Sequence, residues 1–269
     1  GRILDLLLVL RLDSHLMVLT SPENHKKVAE RINFFTFSED VVVEDITEDS
    51  AMLSLVGPKA IDILNRVIDQ RPSNFVVGDC TEVIIGSEEV LAIRSDFIGL
   101  LAYYLVLPAT LAFKMWSTLL EIGSGLDIKP VGTAALEIIR VERGVPVYGK
   151  DMSEANNPLE AGLMEYVHFG KGCYVGQEVV ARLNTYDKVQ KRLVGLIFDG
   201  EYESIVGTKL FINGKQVGTI TSSVKSPGMG KELGLGYVRK AFTEPGTRLV
   251  MGESCGFHVA QVAKLPFKP

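Results

Sequence analysis

The chain changes character near residue 190, and that change limits the folds open to it. Beyond this point the apolar residues fall in short runs at 193–198, 209–212, 216–221, 234–238, 248–250 and 257–263. Gly, Pro and Asn separate the runs, and no stretch has a helical pattern of useful length. Runs of this length with turn residues between them predict a small all-β barrel or sandwich of about 80 residues. Asn213-Gly214 lies between two of them, and this dipeptide supplies the positive φ angles of a tight hairpin. The boundary falls at 185–190, giving a first region over 1–187 and a second over 188–269.

The first region mixes both periodicities. Apolar runs at 3–10 and 15–20 flank Asp13-Ser14 and read as a hairpin. Ser21 and Pro22 then suit the start of a helix carrying Val28 and Ile32. Strands are expected at 41–46 and 52–56. Gly57-Pro58 breaks the chain before a helix through Ala60, Ile61, Leu64 and Val67. A similar order recurs: strands at 82–85, 90–93 and 101–107, a helix over 109–121 ending at Gly123, and a helix over 134–143 capped by Thr133 and stopped by Gly144 and Pro146. Two loosely repeated modules, roughly 1–80 and 81–187, predict an α+β duplication. The charge-free run 97–113 falls short of the roughly 20 residues of a membrane-spanning helix. Pro108 interrupts it, so it reads as a strand followed by a helix.

Composition narrows the function. The net charge of −5 argues against a general nucleic-acid or anionic-membrane surface, although Lys188, Lys191 and Arg192 form a local basic group. The three cysteines, Cys80, Cys173 and Cys255, are odd in number and far apart, which suits a reducing compartment rather than a disulfide framework. Cys80 and Cys255 read as small apolar residues. The four histidines show no metal-ligand spacing. The chain opens directly on the apolar run 1–11, as a fragment would, so the absence of a targeting signal says little.

One octet concentrates chemistry: Lys171-Gly172-Cys173-Tyr174-Val175-Gly176-Gln177-Glu178. Its glycines permit close backbone approach. Lys171 would favour a thiolate at Cys173, and Glu178 would oppose it if close. The residues alone leave two readings open, a reactive thiol loop or a tight turn with one buried cysteine. The octet resembles the K-G-C-[aromatic]-x-G-Q-E signature of the YgfZ-type folate-binding proteins, relatives of the glycine-cleavage T-protein (aminomethyltransferase). Further segments are similar to family elements in the family's order. They are Leu53-Ser54-Leu55-Val56-Gly57-Pro58, Arg140-Val141-Glu142-Arg143-Gly144, Tyr148-Gly149-Lys150-Asp151 and Asn157-Pro158-Leu159-Glu160-Ala161-Gly162-Leu163. Gly218-Thr219-Ile220-Thr221-Ser222 and Leu235-Gly236-Tyr237-Val238-Arg239 follow near the end.

The resemblance implies duplicated, swapped ferredoxin-like folate-binding modules followed by a small Greek-key barrel. It also implies that the family's first strand and helix precede Gly1. The implied cofactor is tetrahydrofolate or a derivative. A buried carboxylate would accept the paired N–H donors of a pterin edge, and Glu160 suits that role, unless it is a solvated loop acid. Arg192 or Lys191 would meet the anionic glutamate tail, or be exposed strand-end charges. Tyr148 would stack on a ring or sit in the core. Glu142 is a further cofactor-side candidate, or an ion-pair partner of Arg140 on one helix. Asp5 stands where the aminomethyltransferases carry two adjacent acids, with Leu6 in the neighbouring place; an acid there would orient and polarise the attacking amine. If that segment is a strand, the two positions face opposite sides.

The octet and the single acid point to the YgfZ branch. That branch implies a folate-binding accessory role for iron–sulfur proteins, including tRNA-modifying enzymes, acting through Cys173. A folate-dependent one-carbon transferase using Asp5 and Glu160 is the alternative, and a non-catalytic scaffold with the same fold is a third. Cluster ligation by this chain does not fit, since clusters take about four protein ligands. No membrane and no direct nucleic-acid partner is expected. The run Ala181-Arg182-Leu183-Asn184-Thr185-Tyr186-Asp187 looks like cyanobacterial and plastid members, which implies a bacterial cytosol or a chloroplast stroma.

Overall fold

The computed structural model describes residues 1–68, 75–96, 99–202, 204–252 and 258–268. They gather into two compact units, one over Leu7–Val131 and one combining Gly1–Leu6 with Gly132–Pro269.

The Leu7–Val131 unit opens with an antiparallel hairpin, β1 (Leu8–Arg11) and β2 (Leu16–Leu19), followed by α1 (His25–Phe35). Its centre is an antiparallel sheet of β3 (Ser50–Val56), β4 (Cys80–Ile85), β5 (Glu88–Ser95) and β6 (Ala102–Pro108), in the order β3-β6-β5-β4. β3 pairs with β6, across a helix and the β4–β5 hairpin in sequence. Helices α2 (Ala60–Val67) and α3 (Ala112–Gly123) cover one face, packing Leu64, Met115 and Leu119 on Leu55, Ala92, Tyr103 and Leu105. Leu10 and partly buried Met17 and Leu19 of the hairpin cluster with Leu91, Ile93, Tyr104 and Val106 on the other. β6 is therefore buried on both faces, which explains its charge-free sequence without a membrane. No helix among the described residues is long and apolar enough to cross one. Half-buried Cys80 packs beside that second cluster, as expected of a small apolar residue.

In the other unit, α4 (Thr133–Arg143) ends where Gly144 takes a left-handed φ of 73° and its N–H donates to the Val141 carbonyl. A long irregular segment leads to α5 (Gln177–Thr185), then to six strands: β7 (Lys191–Phe198), β8 (Lys209–Ile212), β9 (Lys215–Ser226), β10 (Lys231–Arg239), β11 (Arg248–Met251) and β12 (Val259–Ala263). They close a barrel in the order β10-β7-β12-β11-β8-β9. β8, β9 and β10 are hairpin neighbours, while β7, which precedes them, lies beside β10, the connectivity of a Greek key. Closure leaves no edge strand exposed. Asn213 and Gly214, at φ 49° and 73°, form the β8–β9 turn. Leu196, Leu210, Ile220, Leu249 and Ala260 fill the interior. On the outer face Leu233 and Leu235 pack with Val141 of α4 and Phe267.

Several expectations change. Residues 1–7 are not strand; Ile3 instead donates to the Asn156 carbonyl (3.0 Å) and packs on Met152, Ala161 and Leu163. The alternation argument separating Asp5 from Leu6 therefore has no strand to rest on. The first helix begins at His25 with Asn24 at its N-cap position, because Glu23 takes a φ of 62° and Asn24 closes a turn onto the Ser21 carbonyl (3.2 Å). The segment 41–46 is not a strand. The Glu39 carboxylate collects the Phe37 and Ser38 N–H groups and Asp45 takes that of Thr47, local bonds that compete with sheet pairing. Thr133 is the first residue of α4 and Gly132 its cap. Pro108 ends β6 rather than opening the helix. Helix α5 had no counterpart in the sequence reading. Cys255, Phe97 and Phe257 lie outside the described residues.

Leu235→Ala should lower stability by about 2–5 kcal/mol, because the side chain is fully buried. Val250→Ala, at a position 42% exposed, should cost under about 0.5 kcal/mol. Urea unfolding of the two variants beside the parent chain measures the contrast.

Candidate functional site

Everything in this site belongs to the barrel-containing unit. Its anchor is Asp151, whose side chain is wholly buried. Asp151 Oδ2 accepts from Arg140 Nη1 (2.7 Å) and the Val147 N–H (3.2 Å). Oδ1 accepts from the hydroxyls of Thr221 (2.6 Å) and Ser222 (2.7 Å). Adjacent strand residues normally point to opposite faces. Here the β9–β10 register slips between Leu235 and Gly236, so Leu235 faces Ser222 while Gly236 faces Ile220. Thr221 is the extra residue of a bulge, and the bulge lets both hydroxyls reach one carboxylate. Arg140 also donates through Nε to Glu137 Oε2 (2.8 Å) and through Nη2 to Ser222 Oγ (2.7 Å). Burial works against its charge, but Glu137 and Asp151 more than offset this and hold the guanidinium above its ordinary pKa.

A cleft of about 510 Å³ opens beside this network. Gly149, Asp151, Met152 and Asn156 line one side, and Lys191, Thr219, Tyr237 and Arg239 of the barrel the other. Its size lies in the range of small-molecule sites. Lys150, also lining it, is paired with Glu137 (3.0 Å). Lys191 lies over the Tyr237 ring, 4.7 Å from its centroid.

The individually chosen residues fall elsewhere. Glu160 is buried, as a pterin acceptor must be, and not a solvated loop acid. Its Oε2 accepts the Asn157 N–H (3.3 Å), and the Asn157 side chain accepts the Glu160 N–H (3.0 Å). One backbone donor leaves most of the carboxylate's acceptor capacity unspent. Glu142 does not pair with Arg140, because residues two apart on a helix do not face each other while Glu137, three away, does. Glu142 instead accepts from Ser226 Oγ (2.5 Å). Tyr148 is half-buried against Ile3 and Met152. Arg192 is exposed and 3.5 Å from Asp187. Asp5 accepts the Leu6 N–H at 2.8 Å.

The octet forms a loop entering α5. Cys173 is exposed with a free thiol, so the buried-cysteine reading fails. Lys171 lies over the Tyr174 ring at 4.7 Å. Gly176 caps α5 with a φ of 86°, and a side chain there would collide with Gly1. Gly172 and Cys173 precede this turn, while Gln177 and Glu178 begin the helix.

Of the single residues weighed as ligand contacts, Lys191 alone lines the cleft. Tyr237, Arg239 and Thr219 were not singled out. The signal was present in the segments: Tyr148-Gly149-Lys150-Asp151, Gly218-Thr219-Ile220-Thr221-Ser222 and Leu235-Gly236-Tyr237-Val238-Arg239 each contribute lining residues.

Residues 1–171 match the family model described as the GCVT N-terminal domain, and residues 191–268 match the glycine cleavage T-protein C-terminal barrel domain. The chain is 31% identical over 271 residues to an aminomethyltransferase of Halothermothrix orenii, covering 99% of this chain and 74% of that protein. An aminomethyltransferase of Thermotoga neapolitana is 32% identical over 268 residues, with 99% and 73% covered. A putative chloroplastic transferase of Arabidopsis thaliana is 29% identical over 251 residues, with 93% and 57% covered. In fold, the chain is similar to the crystal structure of glycine cleavage system aminomethyltransferase T from Bartonella henselae. The TM-score is 0.85 at 24% identity, covering 99% of this chain and 73% of that one.

Asp151→Asn should destabilise the chain by about 3–5 kcal/mol, the cost of breaking a buried pair at one end. Adding Arg140→Met should restore part of the loss, since the buried guanidinium left with Glu137 as its one carboxylate partner is then removed. Urea unfolding of the single and double variants tests both steps.

Proposed function

We propose that this chain, which belongs to the glycine cleavage T-protein family, binds tetrahydrofolate or a derivative and serves in one-carbon transfer of the aminomethyltransferase kind. The observation that carries the reading is the match to aminomethyltransferases along 99% of the chain at 31–32% identity. The chain's own residues fit such a ligand at Glu160, a buried carboxylate with acceptor capacity to spare. In this reading Glu160 takes the N–H edge of the pterin, Arg192 meets the glutamate tail and Tyr148 offers a ring face. Glu142, bonded to Ser226, supports the helix rather than the ligand. Asp5 would orient the amine at the folate. Residues 1–187 act as the folate-binding region and 188–269 as the barrel domain.

A second reading is favoured by one observation, the exposed free thiol of Cys173. There the chain is a YgfZ-type accessory protein that supports iron–sulfur proteins through that thiol. The chloroplastic name of the Arabidopsis relative belongs to that protein; for this chain a bacterial cytosol or a chloroplast stroma suits either reading.

Calorimetric titration with tetrahydrofolate and its 5-formyl form should show saturable binding. Glu160→Gln should weaken it by about tenfold or more, the loss of a charge-assisted pair. A well-folded chain that binds neither form would sink the folate reading. Cys173→Ala should leave folate affinity and aminomethyl transfer unchanged. Loss of activity in dependent iron–sulfur enzymes in that variant would favour the accessory reading instead.

A further inference from the structure

β10 and β7 are antiparallel, and their register sets Arg239 directly opposite Lys191. Directly opposed residues share a face, so two cations stand side by side where an opposite pair would stabilise the sheet. Among the described residues neither has a carboxylate within ion-pair distance. The other charges of the cleft are already matched, Asp151 by Arg140 and Lys150 by Glu137. The cleft therefore carries two uncompensated positive charges.

Tyr237 shares their face, two residues before Arg239 and directly opposite Thr219 of β9. It is 8% exposed. Its hydroxyl is sealed from solvent with no hydrogen-bond partner. A buried unpaired hydroxyl destabilises the fold, and such a group calls for an explanation. Burial, then the charges of Asp151 and Glu160, push the phenol well above its usual pKa. It stays protonated at neutral pH and is a donor in need of an acceptor. Lys191, over its ring, is a flexible side chain that an anion would draw aside.

We propose that this cleft binds a small organic carboxylate, its anion held between Lys191 and Arg239 with the Tyr237 hydroxyl as donor and its apolar body against Met152 and the Tyr237 ring. Carboxylate is favoured over phosphate because the donors are side chains. No helix N-terminus, the usual phosphate cradle, lines the cleft. Glu160, Tyr148 and Arg192 do not line this cleft, although the Glu160 charge reaches the Tyr237 phenol. Strand alternation also puts Arg192 on the other face of β7 from Lys191.

The test is amide-resolved NMR titration of the full chain with benzoate, with benzamide, and with inorganic phosphate at matched ionic strength. Benzoate should shift Thr219, Tyr237 and Arg239 saturably. Benzamide should not, and phosphate should bind about tenfold more weakly or worse. Arg239→Gln should weaken benzoate by about tenfold. Tyr237→Phe should unfold in urea at the same or higher concentration than the parent, because it removes only an unpaired group, yet bind benzoate several-fold less tightly. A purely structural tyrosine would not give that combination. Benzamide or phosphate binding as tightly as benzoate, or benzoate affinity unchanged in Arg239→Gln, overturns the proposal. Titrating Arg239→Gln with tetrahydrofolate separates the two sites. Folate affinity kept while benzoate is lost supports a distinct cleft; joint loss means that the cleft is the folate's own seat and overturns it. Benzoate binding in a chain that ignores folate leaves the proposal standing and removes the folate reading.

Discussion

The Asp151 carboxylate is the interaction on which the rest of the barrel-containing unit depends. Four donors from three places meet on it: a guanidinium of α4, a backbone N–H of the turn after α4, and two hydroxyls of β9. Buried ion pairs contribute little net stability, since desolvation consumes most of the Coulomb gain. What this one contributes is position. An apolar contact between α4 and the barrel, such as Val141 on Leu235, tolerates sliding. A carboxylate with both oxygens doubly bonded does not, because any shift strands a buried donor. The β9 bulge is part of the same device, since without the extra residue only one hydroxyl would point at Asp151.

Strand alternation then sorts the chemistry around that anchor. Lys191 and Arg192 are neighbours in sequence and look interchangeable as anion-binding groups. On β7 they face opposite ways. Lys191 joins Arg239, Tyr237 and Thr219 on the cleft side, while Arg192 lies opposite Val238 and 3.5 Å from Asp187. One residue of register separates the two cations, and a slip of one would exchange their faces.

How much of this was legible in the sequence follows from the range of the forces involved. The six barrel strands were visible because period-2 burial and turn chemistry are local, and Asn213-Gly214 fixes its hairpin without outside help. The run 41–46 failed because β-branched residues indicate a strand only if a partner strand exists, and nearby carboxylates supplied cheaper backbone bonds. Residues 1–7 read as strand from composition, yet Ile3 is held by Asn156, 153 residues away, a contact no local pattern reports. The Arg140 partner was misassigned for a related reason. Helical spacing favours Glu137, and the decisive second partner, Asp151, lies beyond the helix. Family-like segments located the cleft better than single-residue reasoning did, because each segment is one edge of it and no edge binds alone.

The charge distribution carries the last step. Among the carboxylates buried or half-buried near α4 and the barrel, Asp151 is saturated, Glu142 accepts from Ser226, Glu232 accepts from Ser223, and Glu137 is shared by Arg140 and Lys150. Burial alone would raise the Glu137 pKa, but its two cationic partners bring it below the ordinary carboxylate value. Asp151 and Glu137 are thereby spent, whereas Glu142, Glu232 and Glu160 each accept one donor and keep acceptor capacity. The cations show the reverse inequality: Arg140 and Lys150 are spent on protein carboxylates, whereas Lys191 and Arg239 are not. A ligand's N–H donors and a ligand's anion would thus meet different residues of this unit.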